Sequence, residues 1–348
     1  PGQRDHAASG SGQAVVVKRE IQVPAGRNTV DAIATKKDQT SSIRNVSSDQ
    51  IELLPVESVQ QVVNMQAGVV NGHFRGGRFV WLRRRTGGPM RISVNPDWWR
   101  TLFDEIYLVT DKRSVDNIDI TRHEIDILGR ILPLASDARI LDLCGGQGRH
   151  ALELTRRGNG ACTVLDYSPV LLAEGRQNAQ RRNLSVTFVQ GDARATPLAA
   201  GTFDVVMILG NSLGYSAEKN ADLNILLESR RLLARGGWLL LDVTDGSAVR
   251  HNLTPNAWHE IGDDVVVCRQ RELGPERVCA REMVLSKTRG VIRDKTYSIQ
   301  LYEPQGIEAL ASRAGFVDIQ INAHHAVLND REDRGCMNHR LIAVARRP

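Results

Sequence analysis

From residue 138 onward the chain exchanges short apolar runs with longer amphipathic stretches. ARILDLC (138–144), CTVLDY (162–167), VTFVQ (186–190), FDVVMIL (203–209) and GWLLLDV (237–243) have the length and composition of buried strands. The segments near 148–157, 168–182 and 219–234 between them carry helical periodicity. Strands alternating with helices predict crossover connections and a doubly wound parallel α/β sheet. A helix and two last strands are expected within 304–323 and 340–346. Ahead of the sheet, 95–111 sets Trp98, Trp99, Leu102, Phe103, Ile106 and Tyr107 at helical spacing, with Pro96 near its start. Residues 117–134 follow as an amphipathic helix with Ile120, Ile125, Leu128, Ile131 and Leu132 on its apolar face. Together 95–134 predict a helical lid. DDVVVCRQREL, VCAREMVLS and TYSIQLY, within 257–301, predict a small antiparallel β insertion.

The first 50 residues lack such a pattern. They are polar, with one strand expected at 15–23 and a short helix within 49–70. Charge separates the two parts. The net charge of +5 and the pI near 9.1 invite a nucleic-acid reading. Yet 12 of the 45 basic and 7 of the 40 acidic residues fall within 1–90, which leaves 33 of each in 91–348. The later part is neutral and has no basic stripe with interleaved aromatics, which disfavours a nucleic-acid partner for it, and none is expected. Arg269, Arg271, Arg277, Arg281, Arg289 and Arg293 alternate with Glu272, Glu276, Glu282 and Asp294, which predicts a solvated sheet face. No apolar run of membrane-spanning length occurs, so no membrane partner is expected for 90–348. Five cysteines lie far apart, which predicts reduced thiols and a cytoplasmic location. His324, His325, Cys336 and His339 lack tight ligand spacing, so no metal is expected.

The chemistry concentrates at RILDLCGGQGRH (139–150), where Gly145, Gly146 and Gly148 turn a strand into a helix. Glycine there lets a ligand approach the backbone closely. Gly146-x-Gly148-x-x-Ala151 also satisfies the dinucleotide pattern, so an NAD(P)-dependent oxidoreductase is the alternative. Three aspartates weigh against it. Asp142 precedes the glycines, Asp166 ends the second strand 24 residues later, and Asp192 follows the third. All three fall at the carboxyl edge of the sheet, where such folds bind ligands. Asp142 would repel a pyrophosphate but tolerate a cationic ligand with an amino-acid end.

This arrangement resembles the class I S-adenosylmethionine-dependent methyltransferases over residues 100–348. DLCGGQG matches their first motif except that Cys144 stands where the family has a glycine, and a small residue is expected to fit there. ESRRLLARGGWLLLDV (228–243) and LASRAGF (310–316) match later family segments. The resemblance implies a seven-stranded Rossmann-like sheet with its last strand antiparallel. It implies S-adenosyl-L-methionine as cofactor, its methionine end lined by Asp142, Cys144, Gly146 and Gly148. Asp166 would hold the ribose, Tyr167 and Asp192 the adenine with a backbone contact at Ala193, while Leu209 and Asn211 would lie beneath. Separately, 41–78 resembles the plug domain of TonB-dependent outer-membrane receptors, and no barrel follows it. Residues 1–89 are therefore expected to be a basic leader foreign to the enzyme, a fusion or gene-model fragment, with the working domain at 90–348. A non-enzymatic plug-like binding module is the second alternative.

The acceptor leaves a thinner signature, because methyl transfer needs positioning more than covalent catalysis. A small molecule methylated on nitrogen or oxygen is expected. The lid helix, 242–252 and the β insertion are expected to close over the methyl group, with the Asp242–Asp245 exit facing the cleft. Tyr215, His251 and His259 are the candidate bases. Trp98 and Trp99 are expected to pack as core or lid.

Overall fold

The run at 138–144 becomes a strand buried on both faces. In this computed structural model, β1 (Arg139–Leu143) sends Ile140 into one apolar layer and Leu141 and Leu143 into the other, all at 0% exposure. Such two-sided burial explains why the strand reads as a continuous apolar run without alternation. The structure describes residues 92–132, 134–325 and 339–348, with short strand backbones at Thr29–Ala32, Arg44–Ser47, Val69–Val70, His73–Phe74 and Gly77–Arg78. The strand expected at 15–23, and all but Val69–Val70 of the helix expected at 49–70, lie outside the described residues. By its internal contacts the chain divides into two units, Pro1–Pro89 and Met90–Pro348.

Within the second unit, β2 (Ala161–Asp166), β3 (Thr187–Gln190), β4 (Phe203–Ile208) and β5 (Leu233–Thr244) join β1. With β10 (Val317–His325) and β11 (Arg340–Arg346) they make one seven-stranded sheet in the order β3-β2-β1-β4-β5-β11-β10. β11 alone runs antiparallel to its two neighbours. Helices α4 (Ile118–Ile131), α5 (Arg149–Arg156) and α6 (Pro169–Arg181) cover one face. The other is covered by α7 (Ala221–Leu232) and α9 (Pro304–Arg313). Strand order reverses between β1 and β4, and the crevice at that switch is where an open α/β sheet receives a ligand.

The stretch 95–111 is not one helix. It breaks into α1 (Trp99–Leu102) and α2 (Glu105–Thr110), and α3 (Lys112–Val115) follows. Asp104 causes the break: its carboxylate accepts the Ile106 and Tyr107 amides as an N-cap, which requires an extended backbone at that residue.

The insertion holds four strands rather than three runs: β6 (Asn256–Ile261), β7 (Val265–Leu273), β8 (Arg277–Ser286) and β9 (Gly290–Gln300), in that order. Helix α8 (Gly246–Asn252) leads into it. Its arginines correct the expectation of a solvated face, since Arg269, Arg271 and Arg293 are 8%, 6% and 4% exposed. Pleat alternation puts Arg269, Glu282 and Lys295 in one cross-strand row on the inner side. Asp111 and Asp104 of the leading helices meet that row. Arg269 Nη2 lies 2.8 Å from Asp111 and 2.7 Å from Glu282, while Arg293 and Lys295 reach Asp104 at 3.1 and 2.9 Å. Interleaved signs in the sequence thus mark an internal ion network as readily as a wet surface. Among the described residues no helix is long and apolar enough to cross a membrane.

Candidate functional site

A cavity of about 250 Å³ opens at the carboxyl edge, over the β1/β4 switch. Its floor is the loop from Cys144 to Gln147. The Cys144 and Gly145 amides both donate to Leu165 O, at 2.8 and 3.2 Å, which ties the loop to the end of β2. Gly145 is required by its neighbour: a Cβ there would stand 2.6 Å from Asp142 Cγ. Gly148 has φ +70°, and a Cβ would meet Val164 Cγ2 at 2.9 Å. Cys144 has φ +62°. Its departure from glycine is therefore tolerated at a backbone cost of about 1 kcal/mol, and small size is not the controlling factor. Burial also raises its thiol pKa well above the ordinary value.

Asp166 faces this loop. Its Oδ2 accepts the Gly146 amide and its Oδ1 the Ser168 amide, each at 2.8 Å, and each oxygen keeps a lone pair for a ligand. Burial pushes its pKa up to about 6, outweighing the pull of the backbone donors. Asp142 is 1% exposed, and neither carboxylate oxygen has a hydrogen-bond partner. Burial raises its pKa, while the fields of His150 and Arg149 draw it down. A buried, unpartnered carboxylate beside a glycine loop is costly unless something positive approaches.

At the far end Asp192 accepts from Arg194, with Nη2 at 2.7 Å and Nε at 3.0 Å, and this pairing lowers its pKa. Arg194 also reaches Glu218 at 2.9 Å and lies 5.2 Å from the Trp99 ring centre. The Tyr167 hydroxyl accepts from Arg100 Nη1 at 2.9 Å, and its ring meets Trp99 edge-on at 4.9 Å. Ala193, Leu209 and Asn211 border the cavity as well. Asn211 also has a structural task. Its Oδ1 accepts the Thr244 amide at 2.8 Å and its backbone N–H donates to Asp242 O at 3.0 Å, joining the ends of β4 and β5.

The cavity is bordered by every residue expected at the cofactor except Gly148, which packs against Val164 and Phe188, but by only one of the three candidate bases. Tyr215 borders the cavity, stacked on Phe103 at 5.6 Å and tilted against Trp98 at 5.0 Å. Burial raises its pKa, so the phenol stays protonated and acts as wall. His251 sits exposed on α8 with Nδ1 2.7 Å from Ser247 O, and His259 lies on β6; neither borders the cavity. The expectation that 242–252 faces the cleft is also corrected. Asp242 pairs with the buried Arg340 at 2.7 Å, and Asp245 caps α8 through the Ser247 and Ala248 amides. Trp98 and Trp99 do line the cavity as part of the lid.

The β insertion closes over the cavity as expected, but sequence reasoning named none of its lining residues for that role and missed one corner. Tyr297, Ile299, Val278, Ala280, Arg269 and Glu282 line the cavity from the antiparallel sheet. Arg277 clasps roof to floor by donating to Gly214 O and Tyr215 O at 2.8 and 3.0 Å. In the corner beside the glycine loop, Arg149 and His150 meet Glu124 of α4. Their one linear signal was two titratable residues in the first turn after the glycines. Among the described residues no cluster of His, Cys, Asp or Glu could hold a metal ion.

Residues 140–237 match a family model described as a methyltransferase domain. The chain is 35% identical over 133 residues to a demethylmenaquinone methyltransferase of Thermus thermophilus, covering 33% of this chain and 59% of that protein. A ubiquinone/menaquinone biosynthesis C-methyltransferase of Ruegeria sp. is 36% identical over 106 residues, covering 30% and 41%. The matched region thus spans less than two thirds of these relatives. Among solved structures, the CcbJ methyltransferase from Streptomyces caelestis superposes with a TM-score of 0.56 at 21% identity, over 71% of this chain and 98% of that one. An S-adenosylmethionine-dependent methyltransferase from Clostridium acetobutylicum gives 0.55 at 15%, over 69% and 96%. The fold of the second unit is the Rossmann-like methyltransferase fold.

Proposed function

We propose that this chain is an S-adenosylmethionine-dependent methyltransferase that acts on a nitrogen or oxygen of a small molecule, with the activity in residues 90–348. The observation that carries this is Asp166, a buried carboxylate fixed by the Gly146 and Ser168 amides with a lone pair left on each oxygen. It suits two vicinal ribose hydroxyls. Cys144 and Gly146 would floor the methionine end, with Gly148 shaping the turn behind them and Asp142 beneath as the negative charge. Tyr167, Asp192 and Ala193 would border the adenine, and Leu209 and Asn211 the underside. The cofactor, once bound, supplies a methyl group on a sulfonium centre.

The residues around it then need to hold the acceptor in line and keep water out. Trp98, Phe103 and Tyr215 form an aromatic wall, and the sheet roof closes above. Burial raises the pKa of both Tyr107 and Tyr215, so neither phenol is a ready base. An acceptor that brings its own lone pair fits such a chamber better than a carbon acid, hence nitrogen or oxygen. Carbon methylation is the second reading, favoured by the names of the curated relatives. The oxidoreductase alternative is disfavoured by strand order. Dinucleotide-binding sheets run 3-2-1-4-5-6, whereas here an antiparallel β11 follows β5.

Isothermal titration of the full chain with S-adenosylmethionine and with NAD tests the proposal. Saturable binding of the first alone is expected, and binding of NAD alone would refute it. Release of S-adenosylhomocysteine in a panel of amines, phenols and quinols then identifies the acceptor.

A further inference from the structure

Six carboxylates border the cavity: Asp111, Asp142, Asp166, Asp192, Asp222 and Glu282. Asp111 and Glu282 share Arg269, Asp192 holds Arg194, and Asp142 and Asp166 flank the glycine loop. Asp222 has no task in the reading above. It stands in the first turn of α7, where Oδ1 accepts the Gly214 amide at 3.1 Å and Oδ2 accepts the Tyr302 hydroxyl. Both donors are neutral. Arg277 acts on Asp222 through its field, while its own N–H groups go to the Gly214, Tyr215 and Ser216 carbonyls. Burial raises the Asp222 pKa, against the opposing pull of Tyr302, Gly214 and Arg277. The two donors fill two of a carboxylate's roughly four acceptor positions. A buried carboxylate with neutral partners is costly until a cation reaches it.

Aromatic rings stand beside this carboxylate. Gly214, its amide donor, directly precedes Tyr215, and at φ +91° a Cβ there would meet Gln300 Cβ at 2.8 Å, so the turn presses against β9. The Tyr215 ring stacks on Phe103 at 5.6 Å, and Trp98 lies 5.0 Å from Tyr215 and 5.7 Å from Tyr297. All four rings border the cavity. Rings and a carboxylate are the two kinds of group that recognise an ammonium. The arginines of the same cavity are bonded already, Arg149 to Glu124, Arg194 to Asp192, Arg269 to Asp111 and Glu282, and Arg271 to Thr254 O. An anionic acceptor is therefore less well matched.

We propose that the methyl acceptor is a small amine whose ammonium group binds Asp222 and gives that carboxylate its proton before methyl transfer. This assignment rests on the methyltransferase reading and narrows its acceptor atom to nitrogen. One N–H proton passes to the Asp222 carboxylate, which frees the nitrogen lone pair. That pair forms the new N–C bond as the S–C bond of the cofactor breaks, and the electrons of the broken bond stay on sulfur to give S-adenosylhomocysteine. The methylated product carries the positive charge away, and Asp222 returns its proton to water.

The test titrates the full chain, saturated with S-adenosylhomocysteine, with benzylamine and with its neutral counterpart benzyl alcohol at pH 7, where the amine is charged. Wild type is expected to bind benzylamine about 10- to 100-fold more tightly, the range of a hydrogen bond to a charged group. Asp222→Asn should bring the two probes within about 3-fold while S-adenosylhomocysteine affinity stays within about 3-fold, which shows an intact site. Asp222→Glu should regain part of the preference, and Tyr302→Phe, which alters the surroundings of the carboxylate but not its charge, should keep it. For amines that release S-adenosylhomocysteine, Asp222→Asn should lower kcat by at least about 100-fold. Binding of neither probe to wild type, equal binding of both, an unchanged preference in Asp222→Asn, or its equal loss in Tyr302→Phe overturns the assignment. So does turnover confined to phenols or quinols. A wild type that does not bind S-adenosylhomocysteine overturns the methyltransferase reading itself.

Discussion

Glu282 is the point at which the cavity roof can be made to fail selectively. Its carboxylate is 4% exposed and lies between two guanidiniums, with Arg269 Nη2 at 2.7 Å and Arg293 Nε at 3.5 Å. Both guanidinium side chains are buried, Arg293 at 1% and Arg269 at 10% side-chain exposure. Glu282→Ala leaves both cations buried, with Asp111 the one remaining carboxylate on Arg269 and Asp104 the one remaining carboxylate on Arg293, which also donates to Leu102 O. Breaking a buried pair from one side costs about 3–5 kcal/mol, chiefly because a desolvated charge loses its compensation. For a unit of this size each kcal/mol moves Tm by about 2–4 °C, so a fall of at least about 6 °C is expected. Thermal unfolding followed by circular dichroism measures it. Replacing the pair together, Arg269→Met with Glu282→Met, removes the charge and its partner at once and should recover most of the loss. The interaction is shielded from water, so the single variant's deficit should persist in 0.5 M salt. A drop below about 2 °C, or a double variant no better than the single, would refute the account of the roof as a buried ion network.

Three further outcomes are expected. Asp166 has a folded pKa of about 6, raised from its unfolded value, so its protonation favours the folded apo protein and that contribution is lost as pH rises through 6. The ionised form is the one that accepts hydroxyls. Cofactor affinity should therefore fall about tenfold per unit below pH 6, and Asp166→Asn should abolish the slope as well as most of the affinity; a flat wild-type profile between pH 5 and 7 would contradict this. Gly145→Ala forces a Cβ to within 2.6 Å of Asp142 Cγ, and should weaken cofactor binding at least about tenfold by titration while the secondary structure stays intact. His251→Ala, lying outside the cavity, should leave kcat within about 2-fold, and a loss of 100-fold would place that histidine in the chemistry after all.

The main sheet was legible because its strands are buried on both faces, which leaves a continuous apolar run such as RILDL. The floor of the site was equally legible, since one loop and three strand ends carry it in linear order. What the sequence hid is what depends on pairing across distance. Arg269 and Glu282 look solvated until the hairpin register sets them opposite each other and Asp111 closes over them. Glu124 and Arg149 lie 25 residues apart on different helices, and no local signal links them. His251 and His259 drew notice as titratable side chains, but residue type carries no information on which way a helix or strand turns them. Cys144 was read by size, whereas its constraint is a left-handed backbone that only the folded loop reveals.

The inner surface of the roof divides between two cross-strand duties. Arg269, Glu282 and Lys295 anchor it to the leading helices, and the neighbouring rows Ala280–Tyr297 and Val278–Ile299 border the cavity, with the Tyr297 ring 5.7 Å from that of Trp98. Substitution at Val278, Ala280 or Ile299 would thus reshape the cavity while the loop at its floor and the ion network of the roof stay untouched.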